Sequence, residues 1–507
     1  MTPATPRFAP SLATAGCLLA AVLAVYGFTL GFSFVYDDHV QIERNPWLRA
    51  PEGMRLFLTR PFWGFDREQP RPSNYYRPVF GAFDSLLARV HGLDPKAFHA
   101  ASVALHLAVC LLVALGARRL IAGGNAAAPL AAGLLFAVHP AHAEAVAWVG
   151  GQADLLAAVF ALIAILAYLR GKDSPSTIQN LLLGPAAYLL ACLAKETGVA
   201  TLLVLLVVEA TEWRREGSLA LAIRRAAARL APYGVVLALY LALRLHALGG
   251  FAPRSYGVTA SAAGAVAYAL SLLARYLGFL AVPFPAQILT VLPVPRLLSP
   301  IVLTGLAAAG LALGALAWAT FRGRGRRDIV VSVAFVFAFL LPVLRADAIG
   351  GSNLAERYLY LPSVGLAWLA GVLASRLARS PARRLLTAAA LLGIAALGAA
   401  AGARAAIYRN DRTLFAAAVR ANPASEIAHN NLGTALYAAG RLAEAEREYR
   451  EALRLRPGAV APLANLALVL ERRGDLPGAK AAFAETLRRL PTHAVAASHL
   501  ARLSQKP

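Results

Sequence analysis

The chain has 507 residues, of which 58% are hydrophobic and only 15% charged, with a formal net charge of +23. That much apolar surface cannot be enclosed in a soluble core of this size, which excludes an ordinary globular enzyme. The surplus of Lys and Arg falls in short clusters between apolar runs, at Arg118-Arg119, Arg214-Arg215, Arg224-Arg225, Arg322 to Arg327 and Arg376 to Arg384, the pattern of cytoplasmic membrane loops and not of a nucleic-acid surface.

In chain order, Ser11 to Phe34 is predicted as a first span. Most of its apolar length follows Cys17, whereas a secretion signal carries its apolar core before the cut, so the span is read as uncleaved. Cys17, Cys110 and Cys192 sit in apolar stretches, with no disulfide framework or metal-ligand spacing. A long outer segment, 35–97, then opens on Phe34-Val35-Tyr36-Asp37-Asp38. Adjacent side chains point apart, so one of Asp37 and Asp38 is expected to act as a general base and the other to orient or bind; a solvated loop is the alternative. Further along, Arg77 in Asn74-Tyr75-Tyr76-Arg77-Pro78 is a candidate substrate ligand or interface anchor. Val79, Phe80, Phe83, Leu86, Leu87 and Val90 recur at helical spacing and predict a helix lying on the membrane.

A second span is predicted over about Phe98 to Leu115, and a third from Ala128 that stops at His139-Pro140. His139 and His142 with Glu144 resemble a metal set, but Pro140 disturbs the helix that would align them and no third ligand is fixed nearby; hydrogen bonding to a sugar or phosphate is the preferred role. A fourth span covers Asp154 to Tyr168. The next apolar run, Leu181 to Thr211, would be about 45 Å as one helix, too long for a single crossing. A hairpin turning at Lys195-Glu196-Thr197-Gly198 is expected instead, its tip recessed below the outer surface to make an outward funnel.

Ala231 to Leu245 goes out again. Ala263 to Val282, with Pro283, Pro285, Pro293 and Pro295, is assigned no net crossing, because a full crossing would put the later Arg clusters outside. Ile301 to Thr320, Ile329 to Leu344, Tyr358 to Leu373 and Leu385 to Ala401 then complete about eleven spans, with an inner N-terminus and an outer C-terminus. This count puts His139 to Glu144, Lys195-Glu196, Glu356-Arg357 and Asp37-Asp38 on one face. Ionisable groups held at the hydrocarbon boundary mark a functional site by default. Lys195 and Arg357 suit a lipid phosphate, and the alternative is that each pairs with its neighbour, Glu196 or Glu356.

After residues 1–405, the composition of 406–507 changes to a helical repeat. Pro423, Pro457 and Pro491 are 34 residues apart each time. Leu432, Gly433, Ala445, Tyr449 and Ala452, then Leu466, Ala467, Ala479 and Phe483, occupy the small and aromatic positions of tetratricopeptide repeats. Two full units with partial caps are expected, offering a peptide-binding surface or serving as an oligomerising cap.

Phe34 to Asp38, Tyr76-Arg77-Pro78, Phe98-His99 with Leu105-His106, His139 to Val146 through Gly151 to Leu156, Leu193-Ala194-Lys195-Glu196 and Ala355 to Ser363 occur in one order ahead of the repeats. In this the chain resembles the transmembrane and tetratricopeptide-repeat O-mannosyltransferases, and the likeness spans nearly its whole length. The resemblance implies an all-α polytopic bundle of the GT-C glycosyltransferase type. It also implies transfer of mannose or another hexose from a polyprenyl phosphate to Ser or Thr of exported proteins on the outer face. Asp37 or Asp38 would then be the base. Arg77, His139, His142, Glu144, Lys195, Glu196, Glu356 and Arg357 would hold the sugar or departing phosphate, with no metal required. The repeats would engage an acceptor or partner protein, and the alanine- and arginine-rich composition places the chain in a bacterial inner membrane. A lipid or glycan glycosyltransferase and a non-catalytic scaffold are the alternatives.

Overall fold

The computed structural model describes residues 11–505 apart from 66–72, 122–125, 174–177, 214–216, 251–260, 284–287, 289, 291, 323–326 and 345–353. Arg214-Arg215, most of the Arg322 to Arg327 cluster and Pro285 therefore lie outside the described residues. Every regular element described is helical, and the contacts divide the chain into a bundle running to Ala406 and a second unit from Ile407 onward.

The bundle comprises α1 (Leu12–Tyr26), α2 (Gly53–Thr59), α3 (Pro78–His91), α4 (Pro95–Leu120), α5 (Ala127–Val138), α6 (Ala143–Ala147), α7 (Gln152–Asp173), α8 (Ile178–Ala194), α9 (Thr201–Ala210), α10 (Leu219–Leu248), α11 (Ala262–Ala281), α12 (Pro300–Arg322), α13 (Arg327–Leu340), α14 (Pro362–Leu377) and α15 (Arg383–Ala405). Among the described residues, 6 helices are long and apolar enough to cross a membrane. A seventh candidate, α5 continued through Pro140–Ala147, is bent by 54°. Pro140 causes that break: it has no N–H to give and cannot continue α5, so the chain leaves at His139 and re-enters a helix at Ala143. Leu182–Ala194, Pro300–Gly314 and Pro362–Leu377 are shorter apolar helices.

Helix α10 begins earlier than the expected Ala231 and runs unbroken through Pro232 for 30 residues after Ser218, whose hydroxyl accepts from Leu221 N–H. The stretch assigned no net crossing contains α11, a continuous helix of 20 residues, about 30 Å at the α-helical rise and long enough to cross. The C-terminal ends of α10 and α11 lie close to the same charged layer, Arg244 of α10 beside Glu196 and Leu280 of α11 beside His139.

The chain reverses at Lys195–Gly198, between α8 and α9. Gly198 is required there: a Cβ would sit 2.4–2.5 Å from the backbone of Ala191. At the far end of the bundle, Glu209 of α9 accepts from Lys172 at 2.5 Å, Tyr168 at 2.6 Å and Arg229 at 2.7 Å, and Glu212 pairs with Arg327 at 2.5 Å. The helices therefore carry one ionic layer at each end.

The segment between α1 and α4 has its own apolar core, in which Phe34, Ile42, Trp47, Phe57 and Phe98 pack together. On α3 the polar Asp84 and Ser85 face this core while Leu86 and Val90 are 58% and 64% exposed. Exposed Leu86 and Val90, opposite the buried face, suit a helix resting on lipid.

The second unit stacks α16 (Asp411–Ala421), α17 (Glu426–Ala438), α18 (Leu442–Leu455), α19 (Val460–Arg473), α20 (Leu476–Arg489) and α21 (Ala494–Ser504) in sequence. A Cβ on Gly433 would lie 2.7 Å from the Tyr449 ring, so the glycine lets α17 and α18 approach and the aromatic fills the gap. Ala445, Ala452, Ala479 and Phe483 are fully buried, as the repeat pattern requires.

Candidate active site

The acidic motif follows a backbone outlier. Tyr36 has φ 55°, a left-handed conformation rare for an aromatic residue, and its ring lies 6.1 Å from that of Trp148. The turn fixes Asp38 completely. Its carboxylate accepts from Val35 N–H at 3.2 Å and Gly150 N–H at 2.9 Å, and the side chain is inaccessible to solvent. Burial pushes the Asp38 carboxyl well above the usual range, against the opposing pull of these two donors. Asp37 is only half-buried. Asp38 fastens the loop to the 149–151 turn, and Asp37 is the more accessible carboxylate.

The charged residues singled out in the sequence converge beside this turn, with partners other than their neighbours. Lys195 donates to Asp154 Oδ1 at 2.5 Å, not to Glu196, and is only 3% exposed. Glu196 instead accepts from Arg77 Nε and Nη2 at 3.1 and 3.0 Å and from Tyr76 N–H at 3.3 Å, with Arg244 at 3.6 Å. The Arg357 backbone N–H donates to Glu144 Oε2 at 3.0 Å, and its guanidinium pairs with Glu144 Oε1, not with Glu356. Glu356 pairs with Arg404 at 2.7 Å, whose second arm donates to the carbonyl of Pro283.

Aromatic rings join these pairs into one layer. Arg357 lies 5.1 Å over Trp148 and 4.9 Å over Tyr358, and Lys195 Nζ lies 5.0 Å over the same Tyr358 ring. Arg77 stacks on Tyr75 at 4.3 Å. Aromatic faces stabilise cations that have lost much of their water. The cations are held rigidly without being exhausted, because Arg77 and Arg357 keep 15% and 21% of their side-chain surface exposed.

His139 and His142 are placed below this layer, in the core. His139 Nε2 donates to the Leu280 carbonyl at 3.2 Å, and its Nδ1 accepts from Ala141 N–H. His142 Nε2 meets Ser363 Oγ at 2.7 Å, and its ring packs on Phe136 and Tyr360. Of the ring nitrogens, His142 Nδ1 is buried with no hydrogen-bond partner.

Sequence reasoning did not single out Asp154, Arg244 or Arg404. Asp154 and Arg244 stand in a terminal turn of a predicted span and Arg404 just past the end of one, all on the same face, and that position was the available signal.

Helices of membrane-crossing length, one end of which gathers charges from remote segments, followed by a solenoid of paired helices, define a polytopic α-helical membrane protein with a tetratricopeptide array. The tetratricopeptide-repeat family model matches residues 427–459. Over 205 residues the chain is 35% identical to protein O-mannosyl-transferase TMTC1 of Homo sapiens, covering 38% of this chain and 23% of that protein. It is 24% identical over 462 residues to protein O-mannosyl-transferase F38B6.6 of Caenorhabditis elegans, covering 87% and 62%. Against protein O-mannosyl-transferase TMTC2 of Mus musculus it is 27% identical over 530 residues, covering 86% and 61%. The chain thus aligns with less than two thirds of the length of each of these relatives, and the resemblance carried by its motifs holds in what they are named: it is similar to protein O-mannosyl-transferases.

Proposed function

We propose that this protein is a membrane glycosyltransferase that moves a sugar, mannose or another hexose, from a polyprenyl-phosphate donor to Ser or Thr hydroxyls of exported proteins. The observation that carries the reading is the convergence of Arg77, Lys195 and Arg357, from three distant segments, on one layer beside the Asp37-Asp38 turn. The relatives' names supply the acceptor class, since all are protein O-mannosyl-transferases.

In this mechanism Asp37 accepts the proton of the attacking hydroxyl. The acceptor oxygen bonds to the sugar's anomeric carbon as the bond from that carbon to the phosphate oxygen breaks, and the electron pair leaves on the phosphate. Arg357 and Arg77, reaching the surface of the layer, bind the phosphate oxygens, and Lys195 adds positive potential from beneath. Glu144, Glu196 and Asp154 hold the three cations in place, while Asp38 and the Glu356–Arg404 pair fix the two loops that carry them. His139 and His142 support the floor of the site. Phosphate is already a good leaving group, so positioning and charge stabilisation supply the rate without a step assigned to a metal.

The same reading sets the bundle in a bacterial inner membrane with about eleven crossings, the N-terminus cytoplasmic, and the charged layer and repeats on the outer side. The repeats then present acceptor or partner proteins to the site.

Mass spectrometry of envelope proteins tests this in cells lacking the gene, complemented with wild type or with Asp37→Asn at matched expression. Hexose on Ser/Thr peptides should vanish in the deletion and return only with wild type. Identical protein glycosylation in all three strains sinks the reading, and label recovered in the lipid extract assigns a lipid or glycan acceptor instead.

A further inference from the structure

At the end of the bundle opposite the charged layer, α1, α4, α5 and α14 line a surface pocket of about 360 Å³. Its rim carries Ser11 and Arg118, both exposed, and its walls carry the buried Thr14, Ala114, Ala117 and Ser375. The setting follows from helix direction. Near its start α4 carries Phe98, whose carbonyl accepts from Gln152 close to the site, and it reaches Arg118-Arg119 about 30 Å further on at the α-helical rise. Helix α1 begins at this far end, where Ser11 Oγ accepts from Thr14 N–H and lies 2.9 Å from Thr14 Oγ1.

We propose that this pocket binds a phosphate group, carried by an anionic lipid of the leaflet opposite the charged layer. A guanidinium at the rim, three hydroxyls contributed by α1 and α14 (Ser11, Thr14 and Ser375), and the positive N-terminal end of α1 together match a phosphate. The alanines leave room beneath it for the first carbons of a lipid backbone. The site is separate from the transfer chemistry and does not depend on it.

Native mass spectrometry of the full-length, delipidated protein tests the proposal with three probes: phosphatidylglycerol, phosphatidylcholine and inorganic phosphate. Phosphatidylglycerol should bind at least about tenfold more tightly than phosphatidylcholine. Arg118→Gln should abolish that preference, as should Ser375→Val, which keeps the charge and removes a wall hydroxyl. Arg119→Gln should leave it intact, because Arg119 donates to the Leu169 carbonyl and does not line the pocket. Equal binding of the two lipids overturns the proposal, as does equal loss in the Arg118 and Arg119 variants. Retention of inorganic phosphate with no gain from the lipid overturns the lipid assignment. Thermal melts of each variant separate misfolding from loss of binding.

Discussion

Lys195 and Asp154 stand 41 residues apart in the chain and share a 2.5 Å hydrogen bond, each almost sealed from solvent. Asp154 occupies the first turn of α7, where the helix dipole favours a negative charge, and it is the direct carboxylate partner of Lys195. Removing one member of such a pair strands the other as an uncompensated buried charge. Asp154→Asn should therefore lower stability by about 3–5 kcal/mol. The double substitution Asp154→Leu/Lys195→Met should recover most of that in a thermal melt while transfer stays abolished. Recovery of activity along with stability would remove Lys195 from the site.

The two aspartates of the acidic turn should separate by assay. Asp37→Asn is expected to reduce transfer by about 10²–10⁴-fold with an unchanged melting temperature, as for loss of a general base. Asp38→Asn turns an amide N–H₂ toward the backbone N–H of either Val35 or Gly150, so it should cost about 1–3 kcal/mol of stability. A catalytic defect confined to Asp38→Asn would reverse the assignment.

Asp84, on α3 outside the spanning helices, has its carboxyl pushed up to about 8 by burial, with Gln41 Nε2 donating to it at 2.9 Å. Between the ordinary carboxylate value near 4 and about 8, the folded protein holds a proton that the unfolded chain has released. Stability is then fullest below that window and falls as pH rises through it. Asp84→Asn, which mimics the protonated form, should flatten this decline between pH ~5 and ~8. Parallel pH slopes of melting temperature for wild type and variant would count against it.

At the hairpin tip, Gly198→Ala places a methyl group against the backbone of Ala191, which cannot give way as a flexible side chain would. The expected cost is about 1–3 kcal/mol, with the Lys195–Asp154 pair displaced and transfer reduced. Gly234→Ala, with open space around its Cβ position, is the matched control and should be neutral or slightly stabilising. Equal behaviour of the two variants would show that the tip is not tightly built.

Much of this protein follows from the chain alone because it depends on local patterns. Apolar run length sets the helices of crossing length, Pro140 breaks α5, and the 34-residue spacing of Pro423, Pro457 and Pro491 sets the paired helices of the second unit. The charged tips are legible too, because an ionisable residue at the end of an apolar run is costly and therefore conspicuous. Whether a helix such as α11 spans depends on packing, which counting charges along the chain does not register.

Partnership was decided only by the tertiary structure. Lys195 is in extended backbone, with φ −157° and ψ 146°, so its side chain and that of Glu196 leave on opposite sides and cannot neutralise each other. Ala355 is likewise extended ahead of Glu356 and Arg357. Each charge must then find a counter-ion from whatever the packing brings near: Asp154 for Lys195, Arg77 for Glu196, Glu144 for Arg357 and Arg404 for Glu356. Spacing along the chain carries no information about such contacts, which is why these charged residues are conspicuous in the sequence and their pairing is not.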